Sequence, residues 1–312
     1  MADAKQTPVV QNGDSPRGFA FALTAYLLWG FLPFFMKAVA HIPAFEVVAH
    51  RIVWSVPLAG AVLILLGRMD DVKTALRSPR MLKMAMLTAV LITINWGIYV
   101  WAIGAGRALE TALGYYINPL FSIFLGAVLL KEKLNPAQIV AIVLAAIAVV
   151  VLAFDAGGLP WVSISLALSW GLYAFFRKTL PVGPNQGFFL EVLLLSIPAL
   201  GYIVYLEVSG QGHFSDTGWA DVAWLMACGV VTAVPLMIYA NGAKLLKLST
   251  IGIMQYIAPT MIFIIAVFVF HEPFGTPKLI AFILIWAALA VYSTSMLMES
   301  RARRSAVPNP AE

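Results

Sequence analysis

One stretch of the sequence occurs twice, at 111–136 and again 140 residues later at 251–276. Each copy is an apolar run with a Tyr three residues before an internal Pro, and each has a Glu thirteen residues after that Pro. The matched residues are Tyr116, Pro119 and Glu132, then Tyr256, Pro259 and Glu272. Nearly the same offset relates WGFLPFFMK at 29–37 to WGLYAFFRK at 170–178. The chain is therefore a duplicated unit of about 140 residues, and its fold must contain one structure twice.

The apolar runs of this chain are long enough to cross a bilayer. Hydrophobic residues make up 61% of the 312 residues and charged residues 11%, whereas about 25% of a soluble domain is charged. A transmembrane helix needs about 20 predominantly apolar residues, and strands of a membrane barrel need about half as many. Ten spans are predicted: 18–37, 45–66, 83–104, 109–130, 137–154, 159–177, 187–206, 219–242, 249–270 and 277–297. The sequence predicts an all-α polytopic membrane protein with ten transmembrane helices.

Each half of the chain contains five of these spans. Because five is odd, equivalent helices cross the membrane in opposite directions, and the sequence predicts two inverted five-helix repeats, at 18–154 and 155–297. A disordered cytoplasmic tail is expected at 1–17, without the pattern of a signal peptide, and a basic cytoplasmic tail at 298–312. Inverted repeats are a common plan of secondary transporters, which expose a central site to either side of the membrane in turn.

The distribution of Lys and Arg predicts the orientation. With the N-terminus inside, the inner segments hold sixteen of the twenty basic residues and the outer loops hold three. Cytoplasmic loops of membrane proteins carry such an excess, so both termini are predicted to be cytoplasmic. The net charge of +5 follows from these loops, and a nucleic-acid partner is not predicted.

Several functional classes lack their sequence motifs. The chain has no G-x-x-x-x-G-K-[ST] stretch for ATP-driven transport, and no H-E-x-x-H or G-x-S-x-G stretch for hydrolysis. Cys228 is the only cysteine, which rules out an intrachain disulfide and a cysteine metal cluster. No catalytic residue, metal site or cofactor is predicted, and an intramembrane enzyme is disfavoured. A receptor or scaffold that does not transport anything stays an alternative.

A polar stripe marks the fourth predicted span. Thr111, Tyr115, Asn118 and Ser122 recur at spacings of four, three and four residues and share one face of a helix. Unpaired polar groups are costly in hydrocarbon, so this face is expected to line protein or a water-filled cavity. Pro119 frees a backbone carbonyl on the same helix, as in the interrupted helices of transporter sites. Ordinary hydrogen bonding between helices is the alternative.

Amide and aromatic residues of the spans form the predicted substrate-binding set. Its members are Asn95, Trp96, Tyr99, Tyr115, Asn118, Ser122, Tyr239, Gln255 and Tyr256. Aromatic faces with a few amides suit a neutral or zwitterionic organic molecule better than an inorganic ion. An aromatic residue near a span end can instead anchor the helix at the membrane interface.

Ionisable residues within predicted spans are rare and are candidates for function because charge is costly there. His50 and Glu191 occupy equivalent positions of the two repeats, at an offset of 141, and are predicted to serve in proton coupling or charge recognition. Both lie near the ends of their spans, so structural pairing is the alternative. Glu46 and Arg51 are further ionisable candidates in the second span, and an ion pair between them at the membrane interface is the structural alternative.

Six strings of this sequence resemble one known family: AYLLWGFLPFFMK, EVVAHRIVWS, NWGIYVWAI, LGYYINPLFSIFLG, QYIAPTMIF and IWAALAVY. They resemble the RarD branch of the EamA family, in the drug/metabolite transporter superfamily, and the resemblance covers 18–297. RarD-type proteins are described as chloramphenicol-sensitivity permeases. The resemblance implies a multi-pass protein of the bacterial inner membrane that exports a small organic solute, a metabolite or a drug-like molecule.

The sequence leaves the mode of transport open between proton coupling and passive facilitation. A facilitator would work without Glu191, whereas a proton antiporter needs a titratable group within the membrane. The lipid bilayer and a small-molecule substrate are the expected partners. The oligomeric state stays open; ten helices can enclose a path for the substrate by themselves, so the sequence is compatible with a monomer.

Overall fold

A computed structural model describes residues 15–129, 131, 134–155, 158–215, 218–243, 245–246 and 248–305. These residues form helices joined by short turns. The helices are α1 Pro16–Ala38, α2 Ala44–Leu65, α3 Met69–Leu76, α4 Pro79–Gly104, α5 Ala108–Leu129, α6 Pro136–Asp155, α7 Trp161–Thr179, α8 Pro184–Val208, α9 Trp219–Ala243, α10 Leu248–Met254, α11 Ile257–Ile264 and α12 Thr276–Ser305, with a π-helical turn at Ile265–Val269.

Nine helical stretches within the described ranges are long and apolar enough to cross a membrane, and they coincide with nine of the predicted spans. The remaining predicted span is α7, whose serines and basic C-terminal end make it more polar. It packs against α4 and α5, so Ser163 and Ser169 are buried in protein. The tenth crossing and the cytoplasmic position of both termini stay predictions.

The outer helices present apolar side chains outward. On α6, Ile139, Val143, Ile147, Val150 and Phe154 are all at least 45% exposed, and the opposite face of this helix packs against α12. A continuous apolar surface of this kind is unfavourable in water and suits contact with lipid tails. The bundle is embedded in the bilayer through this surface.

The two halves of the chain pack as equivalent units. The repeat pairs α1 with α7, α2 with α8, α4 with α9, α5 with α10–α11, and α6 with α12. Helix α1 packs against α9 and α11, as α7 packs against α4 and α5, and α2 packs against α9, as α8 packs against α4. Three further contacts join repeat mates to each other: α2 with α8, α5 with α11, and α6 with α12. Exchanging the repeats therefore preserves the packing, as the duplication predicts.

Matched glycines show the same equivalence at atomic detail. A Cβ atom added at Gly30 would collide with Met261, and one added at Gly171 would collide with Phe121. Gly30 and Gly171 are repeat mates, and so are Met261 and Phe121. Each glycine lets a large side chain of the neighbouring helix approach the backbone closely.

The short helix α3 lies in the segment 67–82, between the second and third predicted spans. Its Val72 and Ala75 are buried at helical spacing, and Asp70 and Asp71 occupy the first turn, where acidic residues favour a helix.

Asp71 accepts a hydrogen bond from Gln186 at the start of α8 (2.8 Å). In the other repeat, Glu46 at the start of α2 accepts one from the backbone N–H of His213 (2.7 Å). Each repeat thus binds the start of its partner's second helix.

The predicted span 249–270 is not one continuous helix. It consists of α10, α11 and a π-helical turn, with Gln255 and Tyr256 between the two α-helices. Its repeat mate α5 runs unbroken from Ala108 to Leu129 in spite of Pro119. The run is uniformly apolar on both sides of the break, so hydrophobic periodicity did not reveal it.

Glu272 caps the first helix turn of α5, in the opposite repeat. Its carboxylate accepts hydrogen bonds from the backbone N–H groups of Ala108 (2.6 Å) and Leu109 (2.9 Å). A left-handed backbone at His271 (φ 53°) precedes it, and Lys131, the repeat mate of His271, has φ 55°. Each Glu stands where an apolar run ends, a position that favours a cap or a loop pair; Glu272 is a cap, and Glu132 lies outside the described residues.

We expect Glu272→Ala to lower the free energy of unfolding by about 1–3 kcal/mol, because it leaves two buried N–H groups without an acceptor. The measurement is thermal unfolding of the purified protein in detergent. Glu110→Ala is the control, since Glu110 pairs with Arg107 in a partly exposed position, where a pair contributes about 0–1 kcal/mol. Equal effects of the two substitutions would contradict a capping role.

Candidate functional site

The described helices enclose a cavity of about 150 Å³ between the two repeats. Both repeats contribute to its wall, from α1, α2, α4 and α5 on one side and from α7, α9, α11 and the turn before α11 on the other. The lining residues are Tyr26, Trp29, Leu32, Arg51, Asn95, Trp96, Tyr99, Tyr115, Asn118, Trp170, Tyr239, Gln255, Ala258, Pro259 and Ile262.

Much of this lining consists of repeat mates. At offsets of 140 or 141 residues, Trp29 matches Trp170, Tyr99 matches Tyr239, Tyr115 matches Gln255, and Asn118 matches Ala258. All eight residues contact the cavity. Equivalent positions of the two repeats therefore face one space from opposite sides, as expected for a site on a pseudo-two-fold axis.

Aromatic rings form two groups in the wall. In the first, the ring centroids of Tyr26, Trp29 and Tyr239 lie 5.5–5.6 Å apart. In the second, the ring of Tyr115 lies 5.9 Å from that of Tyr99 and 6.2 Å from that of Trp170. These separations are those of packed aromatic pairs. The cavity offers an organic molecule extensive aromatic surface.

Seven of the nine predicted substrate-binding residues line the cavity: Asn95, Trp96, Tyr99, Tyr115, Asn118, Tyr239 and Gln255. Ser122 does not; its hydroxyl donates to the Asn118 carbonyl (2.9 Å). Tyr256 does not either, and its ring stacks on Tyr116 at 6.3 Å. Substrate binding by any of the nine stays a prediction.

The polar lining residues differ in how fully their hydrogen-bonding groups are used. Asn95 donates to Leu166 O (3.2 Å) and Ser169 Oγ (3.0 Å), and its Oδ1 accepts from Tyr115 (3.1 Å). Asn95 therefore links α4, α5 and α7. Tyr99 Oη, Asn118 Oδ1 and Arg51 Nη1 are buried and have no hydrogen-bond partner among the described residues. All three atoms belong to side chains that line the cavity.

Eight of the fifteen lining residues were not in the predicted set, and Arg51 is the charged one among them. Its predicted ion pair with Glu46 was wrong, because Glu46 accepts two hydrogen bonds from His213. Residues five apart on a helix point in directions about 140° apart, and this spacing could have excluded the pair. Arg51 is 3% exposed, and its Nε donates to Thr232 Oγ1 (2.9 Å). The guanidinium carbon lies 4.8 Å from the ring centroid of Trp96.

His50 and Glu191 lie outside the cavity lining as the described residues define it. The His50 ring stacks on Phe214 at 5.1 Å and its Nδ1 accepts from Trp54 Nε1 (3.2 Å). Glu191 is 1% exposed, accepts from Tyr173 Oη (3.2 Å) and forms an ion pair with Arg177 (3.3 Å). Their roles in proton coupling or charge recognition stay predictions.

A bundle of apolar helices built from two equivalent repeats around a shared central cavity defines a membrane transporter of the internal-repeat class. The sequence pattern of the EamA-like transporter family matches the chain twice, at residues 16–154 and 158–294. The chain belongs to this family.

Curated relatives cover nearly the whole chain. An uncharacterized transporter, YojE, from Bacillus subtilis is 39% identical over 95% of this chain and 100% of its own length. The protein RarD from Streptomyces exfoliatus is 38% identical over 92% and 91% of the two chains. RarD from Escherichia coli K12 is 34% identical over 96% and 98%. The protein is a multi-pass transporter of the bacterial inner membrane.

A solved crystal structure supports the fold. Its chain superposes with a TM-score of 0.58 and 20% sequence identity, over 88% of this chain and 96% of that one. At this identity the likeness concerns the architecture alone.

Proposed function

We propose that this protein is a secondary transporter that carries a small organic solute out of the cell by alternating access, with the central cavity as its binding site. It works as a monomer, because one chain supplies both repeats and all of the described residues that line the cavity. The outward direction rests on the resemblance to RarD-type permeases.

The observation that carries this proposal is the matched lining of the cavity. In alternating access, one site opens to each side of the membrane in turn, and repeats of opposite orientation exchange roles between the two states. Trp29 with Trp170 and Tyr99 with Tyr239 place chemically identical groups on both sides of the site. The bound solute therefore meets similar walls whichever side is open.

The chemistry of the wall supports an organic solute as the substrate. Aromatic rings, amides and one guanidinium line the space, and the cavity volume of about 150 Å³ suits a small metabolite more than a large drug. An inorganic ion would need several convergent oxygen ligands, whereas the surface of this cavity is mostly aromatic and aliphatic.

Proton coupling is a second element of the proposal. Glu191 and His50 are repeat mates within the membrane, and both are buried. Glu191 already has Arg177 as a partner, so a transport cycle that used its proton would have to break this pair. In the coupled mechanism, accumulation of the solute in response to a pH gradient therefore depends on Glu191. A passive facilitator moves its solute without a pH gradient and does not need Glu191.

The test is flux through purified protein in liposomes, with a panel of amino acids, organic acids, amines and drugs, with and without an imposed pH gradient. We expect saturable flux of at least one solute. Asn118→Ala should lower it about tenfold or more, because a free acceptor in the cavity is lost. Asn241→Ala is the matched control, since Asn241 is exposed, donates to Met237 O and does not contribute to the lining.

Glu191→Gln in the same assay separates the two transport modes. Loss of gradient-driven accumulation in Glu191→Gln supports proton coupling through Glu191, and accumulation that persists in this variant contradicts that role. Flux that is independent of the pH gradient and normal in Glu191→Gln favours the facilitator. Absence of flux for every solute, from protein that is folded and correctly inserted, would favour the receptor or scaffold instead.

A further inference from the structure

We infer that Arg51 binds the carboxylate of the substrate, so that the transported solute is a small organic acid or a zwitterion with a free carboxylate. This inference deepens the proposed function and rests on it.

The guanidinium of Arg51 is held in a fixed orientation. Thr232 Oγ1 donates its own hydrogen to Cys228 O (2.7 Å), so it faces Arg51 as an acceptor and receives the Nε–H bond (2.9 Å). The ring of Trp96 packs against the guanidinium at 4.8 Å. Nη1 is buried without a partner among the described residues, on a side chain that lines the cavity.

Arg51 has no carboxylate to balance its charge within the described part of the chain. The acidic residues that could approach from neighbouring helices are engaged elsewhere: Glu46 with His213, Glu191 with Arg177, Glu110 with Arg107, and Glu272 with the start of α5. A buried cation without a counter-charge is costly. A neutral solute would leave this cost in place, whereas a solute with a carboxylate removes it.

The free donors of the cavity fit a carboxylate group. An Arg guanidinium presents parallel N–H groups that match the two oxygens of a planar carboxylate. Tyr99 Oη is also buried and unpartnered and can donate to the same anion. Asn118 Oδ1 is an acceptor and complements an N–H or ammonium elsewhere on the solute, while the rings of Trp29, Trp170 and Tyr239 cover its apolar part.

The positive charge of Arg51 makes the two repeats unequal in the cavity. Val192 stands at the position that matches Arg51, at the offset of 141 that also relates His50 to Glu191, and it is apolar and buried. The aromatic walls are therefore shared by both repeats, but the anion-binding group belongs to the first repeat alone. This gives the site a single position for a carboxylate and hence one orientation for the solute.

The test is ligand-dependent thermal unfolding of the purified, detergent-solubilised protein with matched acid and amide probes. The pairs are phenylacetate with phenylacetamide, valerate with valeramide, and leucine with leucinamide. At least one acid should raise the unfolding temperature in a saturable manner, and its amide should not. Leucine carries an ammonium group as well as a carboxylate, so comparing it with phenylacetate and valerate shows whether the site prefers a zwitterion or a simple acid. Arg51→Met should weaken the acid response about tenfold or more, because charged hydrogen bonds are lost.

Two further variants control for indirect effects. Arg107→Met removes an arginine that pairs with Glu110 outside the cavity, and its acid response should match that of the wild type. Arg51→Lys keeps the charge but loses the planar fork and should respond partially. Without any probe, Arg51→Met should unfold at the wild-type temperature or above it, because the uncompensated charge is gone; a large decrease would indicate a structural role and overturn the inference.

An acid response that survives in Arg51→Met, an equal response to acid and amide, or no response to any acid would each overturn the assignment. None of these outcomes bears on transport itself. If the liposome assay finds a solute whose flux is unchanged in Arg51→Met, the inference about the carboxylate is wrong, but the proposed transport function is supported. If no solute moves, the proposed function fails independently of Arg51.

Discussion

Gly229→Leu is expected to abolish the folded protein. A Cβ at Gly229 in α9 would lie closer than 3.0 Å to the backbone carbonyl of Trp54 in α2, and backbone cannot rotate away as a side chain can. Gly229→Ala already overpacks this contact and should cost about 1–3 kcal/mol. The same close approach places Thr232, one turn further along α9, within hydrogen-bonding distance of Arg51. Separating α2 from α9 would therefore also disturb the cavity. Detergent extraction followed by size-exclusion chromatography and thermal unfolding measures both variants.

Gly97→Ala is the matched control, since it also adds one methyl to a glycine inside a membrane helix. Among the described residues outside its own helix, no heavy atom lies within 4 Å of a Cβ at Gly97. Alanine favours a helix over glycine by about 1 kcal/mol, so this variant should be as stable as the wild type or more so. A folded Gly229→Leu protein with wild-type stability would contradict the α2–α9 packing described above.

Arg177→Met is expected to cost about 3–5 kcal/mol, because it leaves the buried Glu191 carboxylate without its cation. The double substitution Arg177→Met with Glu191→Leu should recover much of that loss, since it removes both charges together. Thermal unfolding of the two variants, with each single change as a reference, gives the coupling energy directly.

Lys73→Met is the control for Arg177→Met, since it removes the cation of an exposed ion pair. Lys73 and Asp70 form an ion pair in which both side chains are mostly exposed, and such a pair contributes about 0–1 kcal/mol. If the double variant at Arg177 and Glu191 were no more stable than Arg177→Met alone, the two residues would not be acting as a pair.

Hydrophobic run length and the internal offset predicted the architecture well, because a bilayer fixes the length of a helix and a duplication fixes its partner. The bounds of α9, predicted at 219–242 and observed at Trp219–Ala243, illustrate this. Run length could not reveal the break at Gln255 and Tyr256, since a helix and an interrupted helix of the same apolar residues have the same hydropathy. It also missed α3, whose burial depends on packing against the start of α4 and α8.

Helical periodicity predicted those cavity residues that share one face of a helix. Tyr115 and Asn118 share a helix face, and their repeat mates had to lie across from them. Ser122 belongs to the same stripe, but its hydroxyl is satisfied by its own helix, a local bond that spacing alone does not predict. Arg51 was interpreted as a partner of Glu46 because its place in the cavity depends on what surrounds it. Only the folded structure shows that Glu46 pairs with His213 instead and that Arg51 lines the cavity.

The single charge at Arg51 also ties the proposed cycle to the membrane voltage. When a cavity opens to one side at a time, the voltage falls across whichever side is closed, so a charge fixed in the cavity changes its electrical potential without moving. For one elementary charge this amounts to about 2.3 kcal/mol per 100 mV, or roughly fiftyfold in population. With the cytoplasm negative, the empty carrier would rest open to the cytoplasm, from which the proposed export cycle takes its solute. A bound carboxylate cancels the charge, and the loaded carrier is then free to turn outward.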